Sequence, residues 1–160
     1  MSALIDPREF TRTVDLLRDF FKARGFLEVH TQNRLSILAA CEDPTTVATF
    51  DYAGQVWPLP QTGQMWLEWE LLRDPLAKGF FCVSTSYREE PNPIPGRHDL
   101  IFPMFEFEMP GDFEDLFELE KELCRHLKLE EPYGQIDYAD AARQCNVKEL
   151  EAEHEEWLCK

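Results

Sequence analysis

No run of apolar residues in the 160-residue chain approaches the ~20 needed to cross a bilayer. The opening stretch MSALIDPREF lacks the basic start and apolar centre of a secretory signal. Positive charge is scarce: 16 Lys and Arg stand against 31 Asp and Glu, a net charge of −15. A surface of that sign repels phosphate backbones and anionic headgroups, which excludes a dedicated electrostatic nucleic-acid binder and a basic membrane-surface protein. Cysteines number five, are scattered and include no C-x-x-C, so free thiols in a reducing cytoplasm are expected rather than a disulfide framework or a zinc site. Familiar signatures are missing too: no G-x-G-x-x-G, no G-x-x-x-x-G-K-[ST], no G-x-S-x-G and no H-E-x-x-H. His30, His98, His126 and His154 do not cluster in sequence.

What the chain does have is enough apolar material for a core, 44% hydrophobic and 12% aromatic, in the length of one ordinary domain. The acidic surplus is uneven. Residues 1–105 hold 14 acids and 10 bases, residues 106–160 hold 17 and 6, so most of it lies in the last third. Asp6, Pro7 and Glu9 mark a helix start with capping-box spacing, and Phe10, Val14, Leu17 and Phe21 give that helix an apolar face. Gly25 stops it in a left-handed cap, with Phe26 folding back, and a short strand follows over 26–29. Residues 31–44 are ambiguous. Residues 47–52 and 55–59 form a hairpin around Ala53-Gly54. A helix is predicted over 63–73, with Met65, Leu67, Trp69 and Leu72 partly buried. Strands at 80–87 and 100–108 flank a Pro-rich loop, and Pro103 points to an edge position or a bulge. An amphipathic helix at 112–129 and two shorter ones near 138–144 and 147–159 complete an α+β chain with an antiparallel sheet flanked by helices, one domain over 1–160.

One segment concentrates chemistry: Tyr87-Arg88-Glu89-Glu90, a loop with Arg97-His98, then Phe102, Glu106 and Glu108. A strand-borne Arg88 presents a planar fork to a phosphate oxygen. Arg97 and His98 can reach more distal phosphates, and Phe102 can lie against a base. Glu106 and Glu108, two apart on a strand, share a face and suit a divalent cation or a substrate ammonium. Each piece alone has a plainer meaning: R-x-E is usually a surface ion pair, a strand Phe is core, and E-x-E is a solvated face. The joint order and spacing is what favours a nucleotide site.

These residues resemble class II aminoacyl-tRNA synthetases, in the aspartyl/asparaginyl branch that includes asparagine synthetase A. Phe10 to Thr31, ending in Arg24-Gly25-Phe26-Leu27-Glu28-Val29, is similar to that family's first motif. Thr62-Gly63-Gln64-Met65 resembles its S-G-Q-L element, and Tyr87-Arg88-Glu89-Glu90 its F-R-x-E. The run Arg97 to Glu108 resembles R-H-L-x-E-F-x-M-x-E-x-E. The chain departs from the pattern at Gln32, where a Pro is usual, and at Ile101, where a Glu precedes the stacking Phe. No G-x-G-x-x-R third motif occurs, so the resemblance implies a partial catalytic core.

The resemblance also implies roles. Arg88 would grip the ATP α-phosphate and the amino-acid carboxylate, acting as the catalytic residue. Glu90 would contact the nucleotide, Phe102 would stack on adenine, and Arg97 and His98 would meet the β- and γ-phosphates. Gln64 would bind the α-ammonium, while Glu106, with Glu108, would sit near the amino acid or its Mg²⁺. The expected activity is ATP-dependent adenylation of aspartate or asparagine, as in asparagine synthetase A or a tRNA ligase, in the cytoplasm and without a membrane. tRNA is expected as a partner of a longer parent rather than of this chain, and a homodimer is open. The 160 residues alone are expected to bind ATP·Mg²⁺ weakly and to show little activity. The alternative is a non-catalytic synthetase-like module that binds a nucleotide or a protein.

Overall fold

A computed structural model describes residues 5–32, 39, 41–96, 98–129 and 134–158. Arg97 therefore lies outside the described residues. The chain divides into two units, 1–127 and 128–160, each with its own packing.

Helix α1 spans Pro7–Ala23 and starts as its sequence dictates: the Asp6 carboxylate accepts from the Arg8 and Glu9 amides, and Pro7 has no N–H to leave unpaired. Glu9 pairs with Arg12 in the next turn. At the other end Gly25 takes φ +83°, and the Phe26 amide donates 3.1 Å to the Phe21 carbonyl. Val14 and Phe21 are buried as the stripe requires, but Phe20 is buried as well and Phe10 is exposed. The reason is tertiary: α1 is covered by the sheet and by a second helix, so two adjacent residues point inward. Phe20 meets the His126 ring at 5.3 Å and carries the Arg24 guanidinium 3.5 Å above its own ring.

Strands β1 (Leu27–Glu28), β4 (Phe80–Tyr87) and β5 (Ile101–Glu108) form one sheet in the order β1-β4-β5. β4 and β5 are antiparallel with Phe80 opposite Glu108 and Tyr87 opposite Ile101, while β1 joins β4 in parallel, so the sheet is mixed where only antiparallel pairing was expected. Pro103 sits on β5, an edge strand, where its missing N–H costs no ladder bond. β2 (Thr49–Tyr52) and β3 (Gln55–Pro58) make a separate hairpin whose two turn residues, Ala53 and Gly54, both have positive φ.

Helix α2 (Gln64–Arg73) packs on one face of the sheet, and α1 and α3 (Phe113–His126) pack on the other. α2 offers the sheet a narrow seam, Leu67 and Leu71 at i and i+4, so Leu67 is fully buried. Met65 is half-buried, but Trp69 and Leu72, expected to be partly buried, are 52% and 81% exposed. The larger core lies between α1, α3 and the sheet: Phe20, Phe21, Phe26, Phe81 and Leu119, with Phe105 and Phe107 against them. Asp112 caps α3 in a complete capping box with Asp115.

The second unit holds α4 (Tyr138–Gln144) and α5 (Ala152–Leu158). Val147, expected to open the last helix, instead closes α4: Asn146 has φ +56°, and the Val147 amide returns 3.0 Å to the Ala142 carbonyl. Among the described residues no helix is long and apolar enough to cross a membrane.

Candidate functional site

The antiparallel register decides which side chains meet. Directly opposed residues share a face, so Cys82, Ser84 and Ser86 on β4 stand with Glu106, Met104 and Phe102 on β5. Arg88 continues the same alternation one step past β4, its amide donating 2.8 Å to the Leu100 carbonyl. Its guanidinium lies 5.5 Å from the Phe102 ring centroid, and its Nε approaches the buried Ser86 hydroxyl at 3.4 Å. A cation and an aromatic plane are thus held side by side by two paired strands.

Beyond Arg88 the loop folds on itself. Glu90 Oε2 lies 2.8 Å from His98 Nδ1, a close contact without hydrogen-bond alignment. Glu90 and His98, given separate tasks at the nucleotide, are therefore neighbours. Arg88, Glu90 and Asn92 line a cavity of about 310 Å³, whose opposite wall is Asp43, Thr45 and Thr46. That wall is a single 3₁₀ turn over Pro44–Thr46, capped by the Asp43 carboxylate. Accepting from the Thr45 hydroxyl and amide holds the Asp43 carboxyl below the usual carboxylate range.

Below Arg88 the same face becomes acidic and enclosed. Glu106 accepts from the Thr62 hydroxyl, from the Gly63 amide at 2.8 Å and from the Ser84 hydroxyl at 2.7 Å. Both of its oxygens are thereby engaged by the protein. They hold the first turn of α2, whose N-cap residue, Gly63, has no side chain to do so, and the negative charge suits a helix N-terminus. Only glycine fits there: a Cβ on residue 63 would lie 2.6 Å from Cys82 Sγ and 3.1 Å from Glu106 Oε2. Burial, with Glu106 beside it, pushes the Cys82 thiol up to about 12, so it is an inert filler. Gln64 accepts from the Cys41 thiol at 3.1 Å and bonds to Glu108. Burial raises Glu108 above the ordinary carboxylate range, the Glu68 and Glu106 charges add to this, and the Gln64 bond opposes it.

Seven of the eight residues singled out from the sequence are described, all but Arg97. Arg88 and Phe102 come together, Glu90 pairs with His98, and Gln64, Glu106 and Glu108 form one group at the start of α2. Of the two carboxylates named for a metal, Glu106 is engaged by three protein donors and Glu108 by Gln64. Among the described residues no group of three or more His, Cys, Asp or Glu is arranged to hold a metal ion. The sequence did not reveal Ser84, Ser86 or the Asp43–Thr46 turn as parts of the site, and it marked Thr62 only within the Thr62–Met65 element, with no role of its own. The strand alternation from Arg88 back to Ser84 was the available signal for the two serines.

The chain is similar to known proteins in sequence and in fold. An asparagine–tRNA ligase of Desulforamulus reducens is 34% identical over 108 residues, 66% of this chain and 24% of the ligase. Another, of Pelotomaculum thermopropionicum, is 34% identical over 112 residues, 69% of this chain and 24% of the ligase. The structure of asparaginyl-tRNA synthetase from Pyrococcus horikoshii complexed with asparaginyl-adenylate superposes with a TM-score of 0.71 at 22% identity, covering 89% of this chain and 39% of that one. The chain is asparaginyl/aspartyl-tRNA synthetase-like. Its mixed α+β architecture, a small sheet flanked by helices, is that of class II synthetase cores. No protein-family model matches it. This synthetase-like chain spans about a quarter of the length of the curated relatives it matches.

Proposed function

We propose that the chain supplies the phosphate- and amino-acid-binding half of an ATP-dependent amino-acid-activating site, with asparagine or aspartate as the amino acid. The observation that carries this reading is the placement of Arg88 and Phe102 on one face of paired strands, with Gln64 further along that face. In this reading the amino-acid carboxylate attacks the α-phosphorus of ATP, an aminoacyl adenylate forms and pyrophosphate leaves. Negative charge grows on the α-phosphate oxygens, and the Arg88 fork neutralises it from a fixed position. Phe102 offers its ring to the base, Gln64 orients the ammonium end, and Glu90 and His98 shape the loop over the phosphates. Mg²⁺ would supply charge neutralisation at the phosphates, where Asp43 and Glu90 are the carboxylates that line the cavity with Arg88.

The Pyrococcus horikoshii relative was solved with asparaginyl-adenylate, which supports an adenylate as the ligand to try. The acceptor is then ammonia or a tRNA, and the net charge of −15 favours the small acceptor for these residues. The test is equilibrium binding of non-hydrolysable asparaginyl- and aspartyl-adenylate analogues to the chain. Saturable binding of one over the other supports the reading and names the amino acid. Equal failure of both favours a non-catalytic module, and amino-acid-dependent pyrophosphate exchange by the protein would rule that module out.

A further inference from the structure

Gln61 is 2% exposed and lies outside every role described so far. Its side-chain amide spends three of its four hydrogen-bonding positions on one turn. Oε1 accepts from the Asp43 amide at 3.0 Å, and Nε2 donates to the Asp43 carbonyl at 3.1 Å and to the Thr46 hydroxyl at 3.0 Å. That turn is the wall of the 310 Å³ cavity opposite Arg88. The Thr46 carbonyl in turn accepts from the Glu89 amide at 2.9 Å, next to Arg88 itself. The segment that carries Gln61 is anchored to the same strand end, since the Tyr87 amide donates 2.9 Å to the Pro60 carbonyl. The two walls are thus tied to each other at Thr46–Glu89 and, from behind, through Gln61 and Pro60.

We propose that Gln61 is a positioning residue of this cavity, holding the Asp43–Thr46 wall at the separation from Arg88 that the ligand requires. The proposal rests on the adenylate reading for the identity of that ligand. A buried amide with these bonds is costly to remove, because the Asp43 amide would lose its partner, while the Asp43 carbonyl would keep only the Thr46 amide and hydroxyl. Besides Gln61, the Thr46–Glu89 bond ties the turn to the Arg88 side; the bonds among Asp43, Thr45 and Thr46 are local and do not fix its distance from Arg88.

Two variants of the chain test this. Gln61→Met keeps the volume and removes every bond; Gln61→Glu keeps the acceptor for the Asp43 amide and loses both donors. Amide hydrogen exchange at Asp43 and Glu89 reports the clamp, and calorimetric titration with a non-hydrolysable asparaginyl-adenylate analogue reports the cavity. Gln61→Met is expected to exchange Asp43 and Glu89 about tenfold faster and to bind the analogue about tenfold more weakly. Gln61→Glu is expected to keep Asp43 protected while still losing affinity. Unchanged exchange at Asp43 in Gln61→Met would overturn the clamp. Faster exchange with unchanged affinity would overturn its role in positioning. A wild-type chain that binds no adenylate analogue would overturn the adenylate reading instead, and the clamp would then stand or fall on the exchange data.

Discussion

The two faces of the β4–β5 ribbon carry opposite chemistry on one backbone. One face presents Phe81, Phe105 and Phe107 to α1 and α3, and Phe21 lies within 4.8–5.8 Å of all three rings. The other presents Cys82, Ser84, Ser86, Phe102 and Glu106, with Arg88 one step beyond. The apolar face needs only volume and shape, so its stability comes from area removed from water. The polar face is enclosed by α2 and must satisfy each group it buries, which it does by tying Glu106 to Thr62, Gly63 and Ser84. Fold and site are thus separated by a strand period of two: a change on one face acts on stability, a change on the other on ligand binding.

Mutations on each face can break or sharpen that division. The largest effect is expected at Phe21→Ala, which empties a fully buried position among five aromatic rings and should cost about 3–5 kcal/mol in urea denaturation. Gly63→Ala is expected next, at about 1–3 kcal/mol, because the new methyl meets Cys82 Sγ and the α2 turn must shift. It crosses the division: adenylate-analogue binding should fall with stability, and a stable variant with unaltered binding would show that α2 is not held as described.

The two faces also differ in their response to pH. Glu108 on the enclosed face has a raised folded-state pKa, so its carboxyl favours folding when protonated, and that contribution is lost as pH rises through the folded value. Glu108→Gln should therefore raise the melting temperature at neutral pH and leave it unchanged at pH values below the ordinary carboxylate range. Glu28 behaves oppositely. Burial alone would raise its pKa, but Arg18 and Lys22 outweigh this and hold it low. Its contribution is present above the ordinary carboxylate range and fades as pH falls through the lowered value. Glu28→Gln is the smallest change expected, a loss of about 0.2–1 kcal/mol near neutral pH, further reduced by salt.

Local rules made much of this legible in the sequence. Asp6-Pro7, Gly25 and Ala53-Gly54 mark ends and turns through backbone geometry alone, and the structure places caps and a hairpin at those residues. Phe20 was not legible, because its burial depends on α3, about a hundred residues away. Trp69 and Leu72 follow the helical period of α2 yet face outward, since the sheet offers that helix only a narrow seam. The joint order of Arg88, Phe102 and Glu106 marked the site face, but the Asp43–Thr46 wall did not show, for it is assembled by bonds to Gln61, 15 to 18 residues along the chain. No periodicity encodes such a contact.

The central claim is that the polar face binds through the fixed cation at its end. It is tested most directly by titrating wild-type, Arg88→Ala, Arg88→Lys and Arg73→Ala chains with a non-hydrolysable asparaginyl-adenylate analogue. Arg73 is a fair control, an exposed arginine paired with Glu70 on α2. Arg88→Ala is expected to weaken binding by about ten- to a hundredfold with little change in melting temperature, Arg88→Lys not to restore it because a point charge cannot reproduce the fork, and Arg73→Ala to bind as wild type does. Equal affinity of the Arg88→Ala and Arg73→Ala chains would contradict the claim.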